Sequence, residues 1–217
     1  MAVQSPLVVI TGAAGRLGTV TIRGFQEAGY RVVGVDRQER TDATVPILAV
    51  DATDETSVAQ GFDRIVREHG APSVLIHTVG MWAMWPLTET SIADWRTMME
   101  VNLTSTFLLF REAARRMASS GGTLIAMASR QGSVQGAAQQ GAYSASKAGV
   151  VRLVEAVAAE YADSGLRAHA VAPSMILFGG EGEDAKGVSA EDLVEHFLHL
   201  CSPAGASLSG ATIHAFG

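Results

Sequence analysis

Tyr143 and Lys147 stand one helical turn apart in Tyr143-Ser144-Ala145-Ser146-Lys147. In a helix their Cβ atoms share one face, about 5–6 Å apart. A free tyrosine has a pKa of about 10 and is a poor base at neutral pH. A neighbouring ammonium favours the phenolate and lowers that value. The tuned phenol can give a proton to a carbonyl oxygen as hydride arrives, or take one from an alcohol. The spacing alone says little, because such pairs are common on helix surfaces. A second group lies in Leu7-Val8-Val9-Ile10-Thr11-Gly12-Ala13-Ala14-Gly15-Arg16-Leu17-Gly18, which runs strand, glycine turn, helix. Gly12 can make the tight turn, Gly15 lets the backbone approach a pyrophosphate, and Gly18 lets the helix pack closely on the sheet. The helix start, through Arg16 and Leu17, offers unpaired N–H groups and a positive dipole end to phosphates. Glycines at a first strand–helix junction meet the context that a dinucleotide site requires; the competing reading is a structural turn.

Asp36 closes the next strand, 18 residues after Gly18, close to the spacing at which an acid meets the adenosine ribose hydroxyls. A carboxylate there accepts from a ribose diol and repels a 2′-phosphate, which favours NAD. The competing, weaker reading is a solvated strand-end acid. Arg37 and Arg16 point toward NADP, because either could reach a 2′-phosphate. Asp51 ends the third strand, either facing an adenine or capping the helix near Glu55.

Alternating strands and helices must position these groups. Strands are expected over Leu7–Thr11, Arg31–Asp36, Pro46–Val50, Val74–Val79, Thr123–Ala128, Arg167–Ala172 and Ala211–Ala215. Helices are expected over Leu17–Ala28, Glu55–His69, Ile92–Met117 with Ser91 as cap, Tyr143–Ser164, and Ala190–Leu200 opened by a Ser189/Asp192 capping box. This order predicts an α/β fold, a Rossmann-like doubly wound parallel sheet in three αβα layers. With no linker or repeat, residues 1–217 read as one dinucleotide-binding and catalytic domain. Gly179–Gly187, rich in glycine and acid, is expected to be a mobile loop. The net charge of −6 and the lack of a basic block argue against nucleic acid. No apolar run suggests a membrane span. The single cysteine, Cys201, excludes an intrachain disulfide. With no signal-type start over Met1–Pro6, a cytoplasmic protein is expected.

Taken in order, the glycine loop, Asp36, Asp51, Val101-Asn102, Gly121-Gly122-Thr123 before a strand ending at Ser129, the Tyr143/Lys147 pair and Ala172-Pro173 resemble the short-chain dehydrogenases/reductases over nearly the whole chain. The resemblance implies NAD(P)-dependent hydride transfer between a nicotinamide and a carbonyl or alcohol carbon. Ser129 would hydrogen-bond the substrate oxygen and Tyr143 would be the acid/base. Lys147 would tune Tyr143 and hold the nicotinamide ribose. Asn102 would position a water in a proton relay, although a polar residue satisfying helix backbone looks the same. Gly80 and Pro173 would line the cofactor. Helices apolar around more than one face, through Val150, Val151, Val154, Val157, Ala158 and Tyr161 and through Leu103, Phe107, Leu108 and Phe110, together with the resemblance, imply a homodimer or homotetramer.

The chain also departs from that pattern. Arg16 stands where the middle glycine is usual, and His77-Thr78-Val79-Gly80 replaces Asn-Asn-Ala-Gly. The interval from Ser129 to Tyr143 is one residue longer than usual, which leaves Ser133 as a weaker serine candidate. Ser174 replaces a glycine, and the segment after Pro173 is short. About nine residues separate the second and third strands, too few for a crossover helix. The trimmed layout and Trp82 are similar to the dihydropteridine reductase branch, which lacks the serine retained here; general carbonyl reductases stay equally open, as does a dinucleotide sensor without turnover. Met81-Trp82-Ala83-Met84-Trp85-Pro86 could form an apolar substrate wall or a core or subunit contact. His196, His199 and Cys201 match no metal motif and read as a helix face, with no metal expected. His77 is expected near the cofactor without titrating.

Overall fold

The computed structural model describes residues 5–40, 44–182 and 184–217. Met1–Gln4 of the expected non-signal start, residues 41–43 and Glu183 of the Gly179–Gly187 segment lie outside the described residues. The strands are β1 (Leu7–Thr11), β2 (Arg31–Asp36), β3 (Ile47–Ala49), β4 (Val74–His77), β5 (Gly122–Met127), β6 (Leu166–Pro173), β7 (Ile176–Leu177), β8 (Val188–Ser189) and β9 (Thr212–Ala215). Seven of them form one parallel sheet in the order β3-β2-β1-β4-β5-β6-β9, and β7 and β8 make a separate two-stranded ladder. Strand order reverses between β1 and β4, where an open α/β sheet leaves a ligand crevice beyond its carboxyl ends.

Helices cover both faces. On one side lie α1 (Arg16–Glu27) and α7 (Ala190–Cys201). On the other lie α2 (Glu55–His69), α4 (Ser105–Met117) and α6 (Gly141–Glu160). The strands read as continuous apolar runs because each face is buried. In β1, Leu7 and Val9 enter the α2/α4/α6 layer while Val8 and Ile10 enter the α1/α7 layer. On β6 the α6-facing positions are Ala168, Ala170 and Ala172, small side chains that admit a helix closely. The expected architecture is present, with element ends shifted by a residue or a few.

Three differences have physical causes. The expected Ile92–Met117 helix is α3 (Ile92–Met99) and α4 joined by a π-helical turn over Glu100–Thr104. Within it, Ser105 Oγ donates to Val101 O at 2.6 Å and Thr106 Oγ1 to Asn102 O at 2.8 Å, hydroxyl bonds that loosen a regular ladder. The one-turn helix α5 (Arg130–Ser133), the β7/β8 ladder and the 3₁₀ turn Pro203–Leu208 were not expected; such short elements carry no hydrophobic period. The third concerns assembly. Val150, Val151, Val154 and Ala158 are buried by this chain alone, because α6 packs on α3, the π-helical turn and α5 as well as β5 and β6. Val154 therefore gives no argument for a partner. Among the described residues, the large apolar side chains left open on α3 and α4 are Ile92, Trp95 and Phe107, the last 44% exposed.

Gly18 shows how tightly fold and site are joined. A Cβ there would fall onto the Gly12 carbonyl oxygen and the Ala13 backbone, far inside contact distance, and backbone cannot swing aside. Gly18→Ala should therefore destabilise the protein by about 1–3 kcal/mol, the usual cost of overpacking, as measured by denaturant unfolding. An unchanged midpoint would show that the loop can move off the helix.

Candidate active site

The phosphate loop is set by backbone bonds. Gly12 takes φ +69°, and Gly15 N–H donates to Gly12 O at 2.9 Å. Asp36 braces the loop from the neighbouring strand: its carboxylate accepts from Ala14 N–H at 3.0 Å and from Arg37 N–H at 2.8 Å. Helices α2, α3 and α7 are each capped by a side chain, from Asp54, Ser91 and Ser189. Helix α1 starts after Gly15 with no side-chain cap and no acid in its first turn. Its leading N–H groups are thus left for an anion, as a dinucleotide pyrophosphate requires. Leu17 is buried in the core, so only its backbone faces that end.

Arg16 is engaged elsewhere. Its guanidinium lies 4.0 Å from the centroid of the Phe178 ring and 3.6 Å from Glu181 Oε1. Glu181 in turn accepts from Phe178 N–H at 3.2 Å, and these backbone bonds, with Arg16, hold its carboxyl below the usual range. The short segment after β6 is thereby fastened to the phosphate loop. Asp51 turns its carboxylate onto Thr53, accepting from N–H at 2.9 Å and Oγ1 at 2.6 Å, which lowers its pKa. The cap of α2 is Asp54, not Asp51: Asp54 accepts from Ser57 N–H at 2.6 Å.

Beyond β4 the chain is held by Asn102, whose side chain is fully buried. Its Oδ1 accepts from Met81 N–H at 2.8 Å, and its Nδ2 donates to Met81 O and Ser146 Oγ, both at 3.0 Å. A Cβ on Gly80 would sit 3.1 Å from Asn102 Oδ1 and 3.2 Å from Lys147 Nζ, so this position must be small. His77 bridges Thr11 Oγ1 at 2.7 Å and Ser105 Oγ at 3.0 Å. Burial, with Lys147 nearby, lowers its pKa to about 3, so it stays neutral. Sequence reading missed Thr11, Ser105 and Ser146. Ser105, three residues after Asn102, and Ser146, next to Lys147, stand beside residues already singled out, but their partners are distant in sequence.

At the carboxyl end of β5, Ser129 is buried. Its hydroxyl accepts from Gln131 N–H at 3.1 Å and donates to Gln131 Oε1 at 3.2 Å. Lys147 is buried one turn along α6 and donates to Met127 O at 2.7 Å. Burial lowers its pKa to about 8. Burial raises the Tyr143 phenol, and Ser129 opposes that in part. Pro173 ends β6 against Ala215. Ser129, Tyr143, Lys147, Asn102 and Gly80 thus meet in one cluster beside the phosphate loop. Ser133 leaves its buried Oγ unpaired. The Met81–Pro86 loop stands over this end, Trp82 58% exposed. Its ring N–H donates to Gln140 Oε1 at 3.2 Å, and Trp85 N–H to Gln139 O at 2.8 Å. On α7, His196 and His199 form no metal-holding cluster among the described residues, and burial pushes the Cys201 thiol up to about 12.

The buried lysine has a stability consequence. Its folded pKa is below the unfolded value, so at neutral pH the chain carries the cost of burying the charged form. That cost is complete below about pH 8 and fades as pH rises toward 10.5. Lys147→Met should therefore raise stability at pH 7 by up to about 3 kcal/mol, with the gain shrinking above pH 8. Thermal unfolding at pH 7 and pH 10 checks it; a variant less stable than wild type at pH 7 would contradict the assignment.

The sequence pattern of the short chain dehydrogenases matches residues 6–184. The chain is 34% identical to the cis-4-hydroxycyclohexanecarboxylate dehydrogenase of Sinomonas cyclohexanicum, over 97% of this chain and 95% of that one. It is 30% identical to the D-threitol dehydrogenase of Mycolicibacterium smegmatis, over 79% and 70%. The ligand-free aldohexose dehydrogenase of Thermoplasma acidophilum superposes with a TM-score of 0.88 at 22% identity, over 97% and 92%, which shows a shared fold. The chain belongs to the short-chain dehydrogenase/reductase family, oxidoreductases of alcohol and carbonyl groups that work with NAD or NADP.

Proposed function

We propose that this chain is an NAD-dependent dehydrogenase of a small alcohol, with Tyr143 as the acid/base. The observation that carries the reading is buried Ser129 at the carboxyl end of β5, with Lys147 buried one turn along α6 from Tyr143, next to the uncapped start of α1. A bound nicotinamide supplies the hydride acceptor or donor. In oxidation, Tyr143 takes the hydroxyl proton as the carbinol hydrogen leaves as hydride; in reduction, it returns a proton to the carbonyl oxygen. Ser129 holds that oxygen, and Lys147 steadies the ionised phenol and the nicotinamide ribose. Asn102 orders the cluster and a relay water. Gly12, Gly15 and the backbone of Arg16, Leu17 and Gly18 would hold the dinucleotide, with Asp51, Gly80 and Pro173 as further contacts. Two relatives are named for oxidising a hydroxycyclohexanecarboxylate and D-threitol, both alcohols. Ser129, retained and buried at the end of β5, favours this reading over a pteridine reductase.

NAD is favoured over NADP on two grounds. The Asp36 carboxylate stands at the end of β2, where it repels a 2′-phosphate. Arg16, one of two cations that could neutralise such a phosphate, is tied to Phe178 and Glu181. A cytoplasmic setting and a single domain fit a chain whose one cysteine is a free thiol. A homodimer or tetramer would cover Ile92, Trp95 and Phe107.

The enzymatic test follows nicotinamide absorbance with NAD or NADP and a panel containing cis-4-hydroxycyclohexanecarboxylate, D-threitol and simple cycloalkanols. Tyr143→Phe should keep cofactor binding and lose turnover by about 10²–10⁴-fold, the usual share of general acid–base catalysis. A variant keeping half of wild-type activity would remove Tyr143 from the role, and a tenfold preference for NADP would overturn the cofactor assignment. For assembly, Phe107→Arg should shift sedimentation toward monomer at micromolar concentration, because a charge would enter a covered apolar contact. A wild-type monomer would end that proposal.

A further inference from the structure

A cavity of about 180 Å³ lies beside Ser129, lined by Arg130, Gln131, Gln135, Gly136 and Ala137. It is joined directly to the reacting cluster: Ser129 Oγ lies 3.2 Å from Gln131 Oε1, in position to donate to it, and Gln131 is one of the walls. The lining is polar, and its only formal charge is that of Arg130. The Arg130 guanidinium lies over the Phe216 ring, 5.2 Å from its centroid. Phe216 follows β9 at the same end of the sheet as Ser129, and His214 stacks on its ring at 5.2 Å. Stacking fixes a guanidinium by its face and leaves its in-plane N–H donors available. Arg16, Arg23, Arg64, Arg111, Arg116 and Arg152 each hold a carboxylate of this chain. Arg130 holds none among the described residues, and it makes no side-chain hydrogen bond there. A positioned cation with spare donors, one side chain away from Ser129, matches a planar carboxylate that accepts two parallel N–H bonds. The exposed apolar side chains at the same end of the sheet, Trp82, Met84, Val134 and Met175, suit an apolar body between the two polar ends of a ligand.

We propose that the substrate carries a carboxylate, and that Arg130 binds it while Ser129 and Tyr143 hold the reacting oxygen. Arg130 is then a specificity-determining residue, and the substrate class is a hydroxy acid or oxo acid with an apolar middle. The inference rests on reading Ser129 and Tyr143 as the reacting centre. It also explains why the cavity walls offer glutamine amides rather than acids, because a second carboxylate would repel the ligand.

The test compares three substrates with the NAD-loaded enzyme: a hydroxycyclohexanecarboxylate, its methyl ester, and cyclohexanol. Wild type should prefer the acid. Arg130→Met should lose about tenfold to a hundredfold in kcat/KM for the acid, chiefly through KM, the scale of one lost hydrogen bond to a charged group. The same variant should turn over the ester within about twofold of wild type, and Arg130→Lys should recover part of the loss. Equal losses for acid and ester, or a wild type indifferent between them, would overturn the proposal. Calorimetric titration of cyclohexanecarboxylate, which has no reactive hydroxyl, separates this from the catalytic reading. Binding should appear in wild type and in Tyr143→Phe, and disappear in Arg130→Met. Binding that persists in Arg130→Met, or is absent from wild type, defeats the carboxylate assignment. Tyr143→Phe that still turns over alcohols defeats only the catalytic reading.

Discussion

Asn102 spends its whole side-chain amide on other parts of the chain. It closes on both backbone groups of Met81, touches Ser146 on α6, and has no exposed surface. An amide buried this deeply cannot turn away without stranding donors and acceptors at a cost of several kcal/mol in total. The loop after β4, the π-helical turn and the first turns of α6 are therefore held as one piece. Gly80 is pressed between Asn102 and Lys147 by the same arrangement, and the tryptophan loop begins from that fixed point. The π-helical turn is what lets Asn102 reach Met81 while α3 and α4 keep their faces on the neighbouring layers.

Around that fixed point the protein keeps its centre dry. His77, Tyr143 and Lys147 all have pKa values pushed away from their charged forms, and burial is the leading cause in each case. Charges that appear in such a place interact more strongly than they would in water. The same burial makes Lys147 a burden on the fold at neutral pH, relieved only in part by one carbonyl. Stability and reactivity are thus set against each other at one side chain, a common arrangement where a buried ionisable group has a task.

The strand–helix alternation was legible because each parallel strand is an apolar run and helices α1, α2 and α7 each have a clear polar face. The glycine loop and the Tyr143/Lys147 spacing were legible because both are local. What sequence did not disclose depends on partners far away along the chain. Arg16 read as a phosphate contact, yet its guanidinium rests on Phe178 and Glu181. Asp51 looked like a cap or an adenine contact; Asp54 does the capping, while Asp51 accepts from Thr53. The valines of α6 implied a subunit contact; α3 and α5 already cover them, a crowding that no helical period reveals. Lys147 was expected to act on Tyr143, and its bond to Met127 O follows from the depth of α6 against β5, which only the packed structure supplies.

The fastening of Arg16 to Phe178 and Glu181 joins two segments that lie some 160 residues apart. A change in one alters the contacts of the other. Replacing Arg16 by glycine would free the Phe178 ring and leave the Glu181 carboxylate without that cation. In a hybrid that took its first βαβ half from another chain, the segment behind Pro173 would lose this contact with the phosphate loop. The boundary between cofactor half and substrate half is thus crossed by side-chain contacts.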